Sequence, residues 1–138
     1  MSPQEISDRL EIQDLLVRYC HAVDRRDWKA FEKLFVEDAI LDYTAFDGPR
    51  SGVKDLAAYL NDAVSGVQGS QHTISTTLLE FDGDIVKAHS AAQVQMISDK
   101  GDGTTHVFFI GLWYLDTLVR TSDGWRIKER VQEKSWIH

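Results

Sequence analysis

Residues 19–43 read YCHAVDRRDWKAFEKLFVEDAILDY, and the order of elements in this stretch decides the fold. Tyr19 and Val23 continue a helical stripe that begins upstream with Ile12, Leu15 and Leu16. Asp24 falls where that helix should stop, because Arg25-Arg26-Asp27 breaks the apolar spacing. Asp27 is then placed to cap a second helix, expected over Trp28–Phe35, whose apolar face is Trp28, Phe31, Leu34 and Phe35. Glu37-Asp38 ends it, and Ala39–Tyr43 reads as a short strand.

Upstream, Ser2-Pro3-Gln4-Glu5 is a helix start: a capping hydroxyl, a proline in the first turn and a glutamate able to close a capping box. Downstream, Phe46-Asp47-Gly48-Pro49 carries strong turn chemistry. Ser51 is expected to cap a third helix over Val53–Val64, with Leu56, Tyr59, Leu60 and Ala63 inward. Gly66–Gly69 reads as a loop. Strands follow over Gln71–Phe81, Ile85–Ile97, Thr105–Val119 and Trp125–Lys134. They are separated by Asp82-Gly83-Asp84, Asp99–Gly103 and Thr121–Gly124. Val86, Ala88, Ala92, Val94 and Met96 share one face. Helices first and an antiparallel meander after them is an α+β pattern. The expectation is one domain over residues 1–138, with three helices on a strongly curved sheet that forms an open cone. The strand over Thr105–Val119 is apolar on both parities, so one face belongs to the core. The other is expected to meet a second subunit, or else to be covered by the chain's own C-terminus.

The chain has 138 residues, enough for one core, and its 43% apolar content is that of a globular chain. Its net charge of −7 argues against nucleic acid, which needs a basic excess to release counterions, and against an anionic membrane surface. Cys20 is the lone cysteine, so no internal disulfide can form, and a reducing cytoplasm is the expected compartment. The N-terminal MSPQEISDRLEIQ lacks the apolar run of a signal peptide. The five histidines, at 21, 72, 89, 106 and 138, form no metal-ligand spacing, and no nucleotide-binding glycine loop is present. A site without metal or cofactor is expected.

Asp24 and His72 are the first chemical candidates. A carboxylate bonded to one imidazole nitrogen fixes the tautomer and leaves the other as a base. His72 shares parity with Ile74 and Leu78 and is expected to face the core. Taken singly, such an aspartate is more often a cap, and such a histidine more often a satisfied core residue. Tyr19 and Tyr43 offer phenols that could polarise a carbonyl or assist a leaving hydroxyl. Tyr19 also fits the helix stripe, and five helical residues put it about 140° from Asp24. The two can share a cleft only where the helix ends. Arg130 could bind an acidic substrate group or an enolate. Its parity opposes that of Ile127 and Val131, so a bulge would be needed to turn it inward. A solvated or interface arginine is the competing reading. His89, on a polar parity, reads as non-catalytic.

Four pieces together carry a resemblance. They are RYxxAxDxxDW from Arg18 to Trp28, LFxxDAxLDYxxF from Leu34 to Phe46, Gln71-His72, and DxLxRTxDGWRI from Asp116 to Ile127 with the late Trp136. They resemble the SnoaL-like branch of the NTF2-like superfamily, with scytalone dehydratases, bile-acid 7α-dehydratases and hexachlorocyclohexane dehydrochlorinases nearest in pattern. The resemblance implies an NTF2-like cone with a deep pocket, often a trimer, and a cofactor-free Asp–His dyad falling on Asp24 and His72. It places a catalytic tyrosine on Tyr19, a pocket tyrosine on Tyr43 and a pocket arginine near Arg130. A second pocket histidine of scytalone dehydratase falls at about Gln95. The expected function is a dehydratase-like lyase. It would act on a small hydrophobic cyclic substrate, aromatic or polycyclic, in a homo-oligomer with three subunits favoured over two. The alternatives are an isomerase using the same pocket and a non-catalytic assembly module like the small subunits of ring-hydroxylating dioxygenases. An open pocket with a closed dyad favours the enzyme. A pocket filled by aromatic side chains favours the module.

Overall fold

The structure, a computed structural model, describes all residues from Met1 to His138. Helix α1 spans Pro3–Asp24, and Ser2 caps it by accepting a hydrogen bond from the Glu5 amide at 3.1 Å. Its inward stripe includes Ile12, Leu15, Leu16, Tyr19 and Val23, the spacing expected of a helix with one buried face. Arg26 takes a left-handed conformation (φ 57°) and turns the chain. Its guanidinium donates to the carbonyls of Val64 and Val67 at 2.7 and 2.8 Å, tying this corner to the end of the third helix.

Helix α2 covers only Trp28–Glu32, capped by Asp27, and is shorter than its apolar spacing predicts. Phe35 instead opens strand β1, Phe35–Asp42. The reason is tertiary. Leu34 accepts a hydrogen bond from the Ile127 amide at 2.9 Å, and Phe35 pairs with Ile127 across the sheet. That pairing overrides local propensity. After a single 3-10 turn at Thr44–Phe46 come strand β2 (Arg50–Ser51) and helix α3 (Val53–Ser65). Gly52, not Ser51, occupies the N-cap of α3, with no side-chain bond, and Ser51 pairs with Leu41 in the sheet. Leu56 is buried as expected. Tyr59 and Leu60 are half-buried, and Ala63 is exposed.

The meander is β3 (Val67–Asp82), β4 (Ile85–Asp99), β5 (Thr105–Thr121) and β6 (Gly124–Ile137). β3 starts inside the stretch expected to be a glycine loop. The six strands form one curved, unclosed sheet in the order β2-β1-β6-β5-β4-β3. Only β1 and β6 run parallel. This is the α+β cone. The helices fill the inner face, against Val86, Ala88, Ala92 and Val94 of β4, Leu112 and Leu118 of β5, and Trp125 and Ile127 of β6.

Asp8 in the first turns of α1 accepts bonds from Arg120 at 2.8 and 2.9 Å and from the Trp125 indole at 3.1 Å, fastening one end of the helix to the sheet. On the outer face, the Trp136 ring lies over Gly111, where an added Cβ would come within 2.2 Å of it. The C-terminal strand thus covers part of that face. Trp113 and Leu78 remain 40% and 75% exposed.

Two bulges decide which side chains enter the cone. In β3, the pairing with β4 shifts between Ile74 and Thr76. His72 and Ile74 point inward before the shift, and Leu79 and Phe81 pack on the core after it. Leu78 is therefore exposed and does not share the face of His72, contrary to the simple parity. In β6, the pairing with β5 shifts between Thr117 and Leu118, making Lys128 the extra residue. That shift puts both Ile127 and Arg130 inside, so Arg130 is neither solvated nor on the outer face.

Candidate active site

Asp24 is the last residue of α1, and its carboxylate is held from β3. Ser70 donates its hydroxyl to Oδ1 at 3.0 Å, and the backbone amide of His72 donates to Oδ2 at 2.7 Å. The ring Nδ1 of His72 lies 2.6 Å from Oδ1. A carboxylate can only accept, so Nδ1 carries the hydrogen, and in the neutral ring Nε2 has the free lone pair. Burial works to raise the pKa of Asp24, but the bonds from His72 and Ser70 outweigh it and leave the carboxyl below its ordinary value. The pair is nearly covered, with 11% of the His72 side chain and 18% of that of Asp24 exposed.

Tyr19 lies behind this dyad. The rings of Tyr19 and His72 meet edge to face, 6.3 Å between centroids. Asp24 and Tyr19 diverge along the helix and are brought back into one assembly by His72. The Tyr19 hydroxyl shares a short hydrogen bond with that of Tyr43, just past the end of β1. Tyr43 is set by the following loop: its amide donates to Pro49 and its carbonyl accepts from Gly48. A Cβ at Gly48 would lie 2.9 Å from that carbonyl oxygen. Burial raises both phenols above the ordinary tyrosine value, Tyr43 the further. Both therefore stay protonated donors.

Arg130 sits below the tyrosines with no exposed surface. Its Nε and Nη2 donate to the two oxygens of Asp116 at 2.7 and 2.8 Å. The guanidinium lies 4.2 Å from the ring centre of Tyr19 and 3.9 Å from that of Tyr114. Burial works against its charge, yet Asp116 beside it keeps the group firmly protonated. The Tyr114 hydroxyl and Arg130 Nη1 are buried without partners. Neither Tyr114 nor Asp116 stood out in the sequence as a site residue, although both continue the inward parity of Ile110 and Leu112.

A half-open cavity of about 200 Å³ lies between His72 and Tyr43. His72, Ser70, Tyr43, Tyr59 and Gln132 are its polar side chains, and Leu60, Met96 and Ile110 are among its apolar walls. Tyr19 and Arg130 do not line it. Of the two tyrosines, Tyr43 is the one in reach of a bound molecule, and Arg130 cannot touch one as placed. Gln95 is exposed on the outer face. Its neighbours Val94 and Met96 are the side chains that reach the cavity. His72 and Asp24 also border a surface groove of about 530 Å³ with Arg25 and Ile74. A larger cleft of about 670 Å³ between α1, α2 and β6 contains none of the dyad or tyrosine residues. Only the small cavity sets a candidate base opposite a phenol. Cys20 is buried, its thiol pushed up to about 11 by burial, so it stays unreactive. His89 is exposed. No three His, Cys, Asp or Glu side chains are gathered in the manner of a metal site. No helix is long and apolar enough to cross a membrane.

A curved sheet wrapped around helices defines an NTF2-like α+β fold. Residues 4–131 match the SnoaL-like domain family, and the chain belongs to it. An uncharacterized protein of Mycobacterium tuberculosis is 37% identical over 134 residues, which cover 97% of this chain and 90% of that one. Among solved structures, the Kfla4162 protein of Kribbella flavida superposes with a TM-score of 0.87 at 21% identity, covering 97% of this chain and 95% of that one. A hexachlorocyclohexane dehydrochlorinase of Novosphingobium barchaimii gives 0.82 at 19%, covering 97% and 90%. A candidate scytalone dehydratase of Novosphingobium aromaticivorans gives 0.88 at 19%, covering 100% and 91%. At these identities the structural likenesses establish the fold.

Proposed function

We propose that the protein is a cofactor-independent lyase that removes water from a hydrophobic cyclic β-hydroxy ketone. The observation that carries this is His72, bonded to Asp24, on the wall of a half-open cavity that also presents the Tyr43 phenol. His72 Nε2 takes the proton from the carbon beside the carbonyl, and Asp24 stabilises the resulting imidazolium. The electron pair of the broken C–H bond moves toward the carbonyl oxygen, where the Tyr43 hydroxyl donates a hydrogen bond. The enolate then collapses, the C–O bond to the β-hydroxyl breaks, and the imidazolium returns its proton to the leaving oxygen. Water and an enone result, and the base is regenerated. Tyr19 acts through Tyr43 and Arg130 acts through Tyr19, as positioning residues.

The open cavity also favours this reading over an assembly module. The test is direct. Cyclic β-hydroxy ketones are supplied, and enone absorbance is followed with the wild type and Asp24→Asn. Enone formation that depends on Asp24 supports the lyase. Turnover of a β,γ-unsaturated ketone to its conjugated isomer, with no dehydration, would replace the lyase with an isomerase in the same pocket.

A homo-oligomer, three subunits favoured over two, is part of the same proposal. Trp113, Leu78 and Val107 leave apolar surface on the outer face of the sheet, which monomers seldom expose in quantity. Light scattering at micromolar concentration should give a multiple of 15.7 kDa. A monomer would remove the interface.

A further inference from the structure

We propose that the cleft between α1, α2 and β6 binds a small molecule that carries phosphate groups. Neither His72 nor Tyr43 lines this cleft, so it is separate from the lyase cavity proposed above.

Charge points to the site. Arg18, Arg25, Lys29, Lys33 and Arg126 line the cleft, against three acids, Glu11, Asp14 and Asp27. The lining is therefore +2. The whole chain, with 15 Lys and Arg against 22 Asp and Glu, is −7, so everything outside the cleft carries −9. A concave wall of one sign focuses its field on the space it encloses. The acids do not cancel that field, because each is engaged. Asp14 accepts from Arg18 at 2.6 Å. Glu11 accepts from the Trp125 amide at 2.6 Å, and Asp27 from the Ala30 amide at 3.1 Å. Arg126 donates to the Trp125 carbonyl at 2.7 Å.

Arg25, Lys29 and Lys33 are left, all exposed and none in an ion pair. Lys29 lies in α2 and Lys33 is its C-cap, still in the helical region, so the two are neighbours one turn apart. Like charges at that spacing repel, and an anion between them turns the repulsion into attraction. A phosphate group brings about two charges and three acceptor oxygens on one centre, so two ammonium groups can share it. Arg25, the C-cap of α1, adds a planar fork that matches phosphate geometry. A carboxylate has one charge and serves the same trio less well. Leu15, Ala22 and Leu34 are buried members of the same wall and can meet the carbon body of the ligand. An extended polyanion fits worse. Nucleic acid or an acidic protein would run past the cleft onto surface that carries the −9. A small ligand meets the cleft alone, since fields at the surface are screened over ~10 Å in 0.1 M salt.

The probe is inorganic pyrophosphate, titrated in metal-free buffer and followed by calorimetry and amide NMR shifts. The wild type should bind one pyrophosphate with a Kd of about 1 mM or tighter at low ionic strength. The moving amides should be confined to the end of α1, α2 and the start of β6. Inorganic phosphate, which reaches fewer cations, should bind about tenfold more weakly. Arg25→Gln, Lys29→Gln and Lys33→Gln should each weaken pyrophosphate about two- to fivefold, and the triple variant should show no binding. Lys54→Gln and Lys100→Gln, at exposed lysines outside the cleft, should bind as the wild type does. If the triple variant melts below the working temperature, the single variants and the shift map decide on their own. Absence of saturable binding would overturn the proposal, as would binding that the cleft variants leave undiminished. Tighter binding of an octaglutamate peptide than of pyrophosphate would also overturn it, and would make the cleft a docking site for an acidic protein segment.

Discussion

Asp116 grips Arg130 through two hydrogen bonds, and neither side chain has exposed surface. Asp24 grips His72 with one ring contact and one backbone bond, and both side chains keep some exposure. Both pairs touch Tyr19, whose ring meets the guanidinium at 4.2 Å and the imidazole edge to face at 6.3 Å. Their chemistry differs at the cation. A guanidinium never gives up its proton in a protein, so Arg130 can only order what surrounds it. An imidazole exchanges protons near neutrality, so His72 can act as a base. One carboxylate therefore holds a fixed charge and the other orients a variable one. The same comparison separates scaffold from chemistry, and it can be broken at either pair.

The largest effect is expected at the variable pair. Asp24→Asn keeps the shape but removes the charge that stabilises the imidazolium and fixes the tautomer. Turnover should fall about 10⁴-fold. Thermal unfolding should move by only a few degrees, because the site is small and partly open. Steady-state kinetics beside a melting curve checks both. Undiminished turnover would make the dyad a structural bond.

At the fixed pair the expected loss is in stability. Arg130→Met leaves Asp116 buried and uncompensated, which should cost about 3–5 kcal/mol. Adding Asp116→Leu removes the stranded charge and should recover much of that loss, leaving a folded protein with a disordered Tyr19–Tyr43 pair. Urea unfolding of the single and double variants measures the difference. If the double variant is no more stable than the single one, buried charge is not what the pair contributes.

Much of this arrangement was legible in the chain, and the unreadable parts share a cause. Ser2-Pro3 and the stripe from Ile12 to Val23 announce α1 because capping and helical period are local. Asp82-Gly83 and Asp123-Gly124 announce hairpins for the same reason, and both glycines have positive φ. The contact of Asp24 with His72 was reachable because a helix end and a strand start were each visible. The extent of α2 was not, since Leu34-Phe35 has helical spacing and only its partner Ile127 makes it a strand. Bulges are non-local in the same way. Parity put Leu78 inside and Arg130 outside, and the register shifts near Ser75 and Lys128 reversed both. Tyr114 and Asp116 were readable by parity alone, but polar residues on a core face do not announce themselves.

A smaller effect is expected at the loop that sets Tyr43. In Gly48→Ala the new methyl would lie 2.9 Å from the Tyr43 carbonyl oxygen and 3.0 Å from its Cβ, so the backbone must shift. A cost of about 1–3 kcal/mol is expected. Turnover should fall with it, while the Asp24–His72 contact is untouched. The histidine ring resonances should therefore stay in place in an NMR spectrum while activity drops. Movement of both together would show that the loop and the dyad are one unit.

The smallest effect concerns acid. Asp24 in the folded protein has its pKa below the ordinary carboxylate value of ~3.9. A depressed folded pKa adds stability above the unfolded value, and that stability is lost as pH falls through the folded one. Asp8, held low by its hydrogen bonds to Arg120, loses its own contribution in the same direction, so the acid unfolding of the wild type reports both. Subtracting the curve of Asp24→Asn isolates the dyad. Below about pH 5 the stability gap between the two proteins should shrink, closing as the pH falls through the lowered pKa of Asp24. A gap that widens below about pH 5 would mean that Asp24 is held protonated in the folded state. His72 would then lack its anionic partner, and the dyad would lose its claim to be the variable pair.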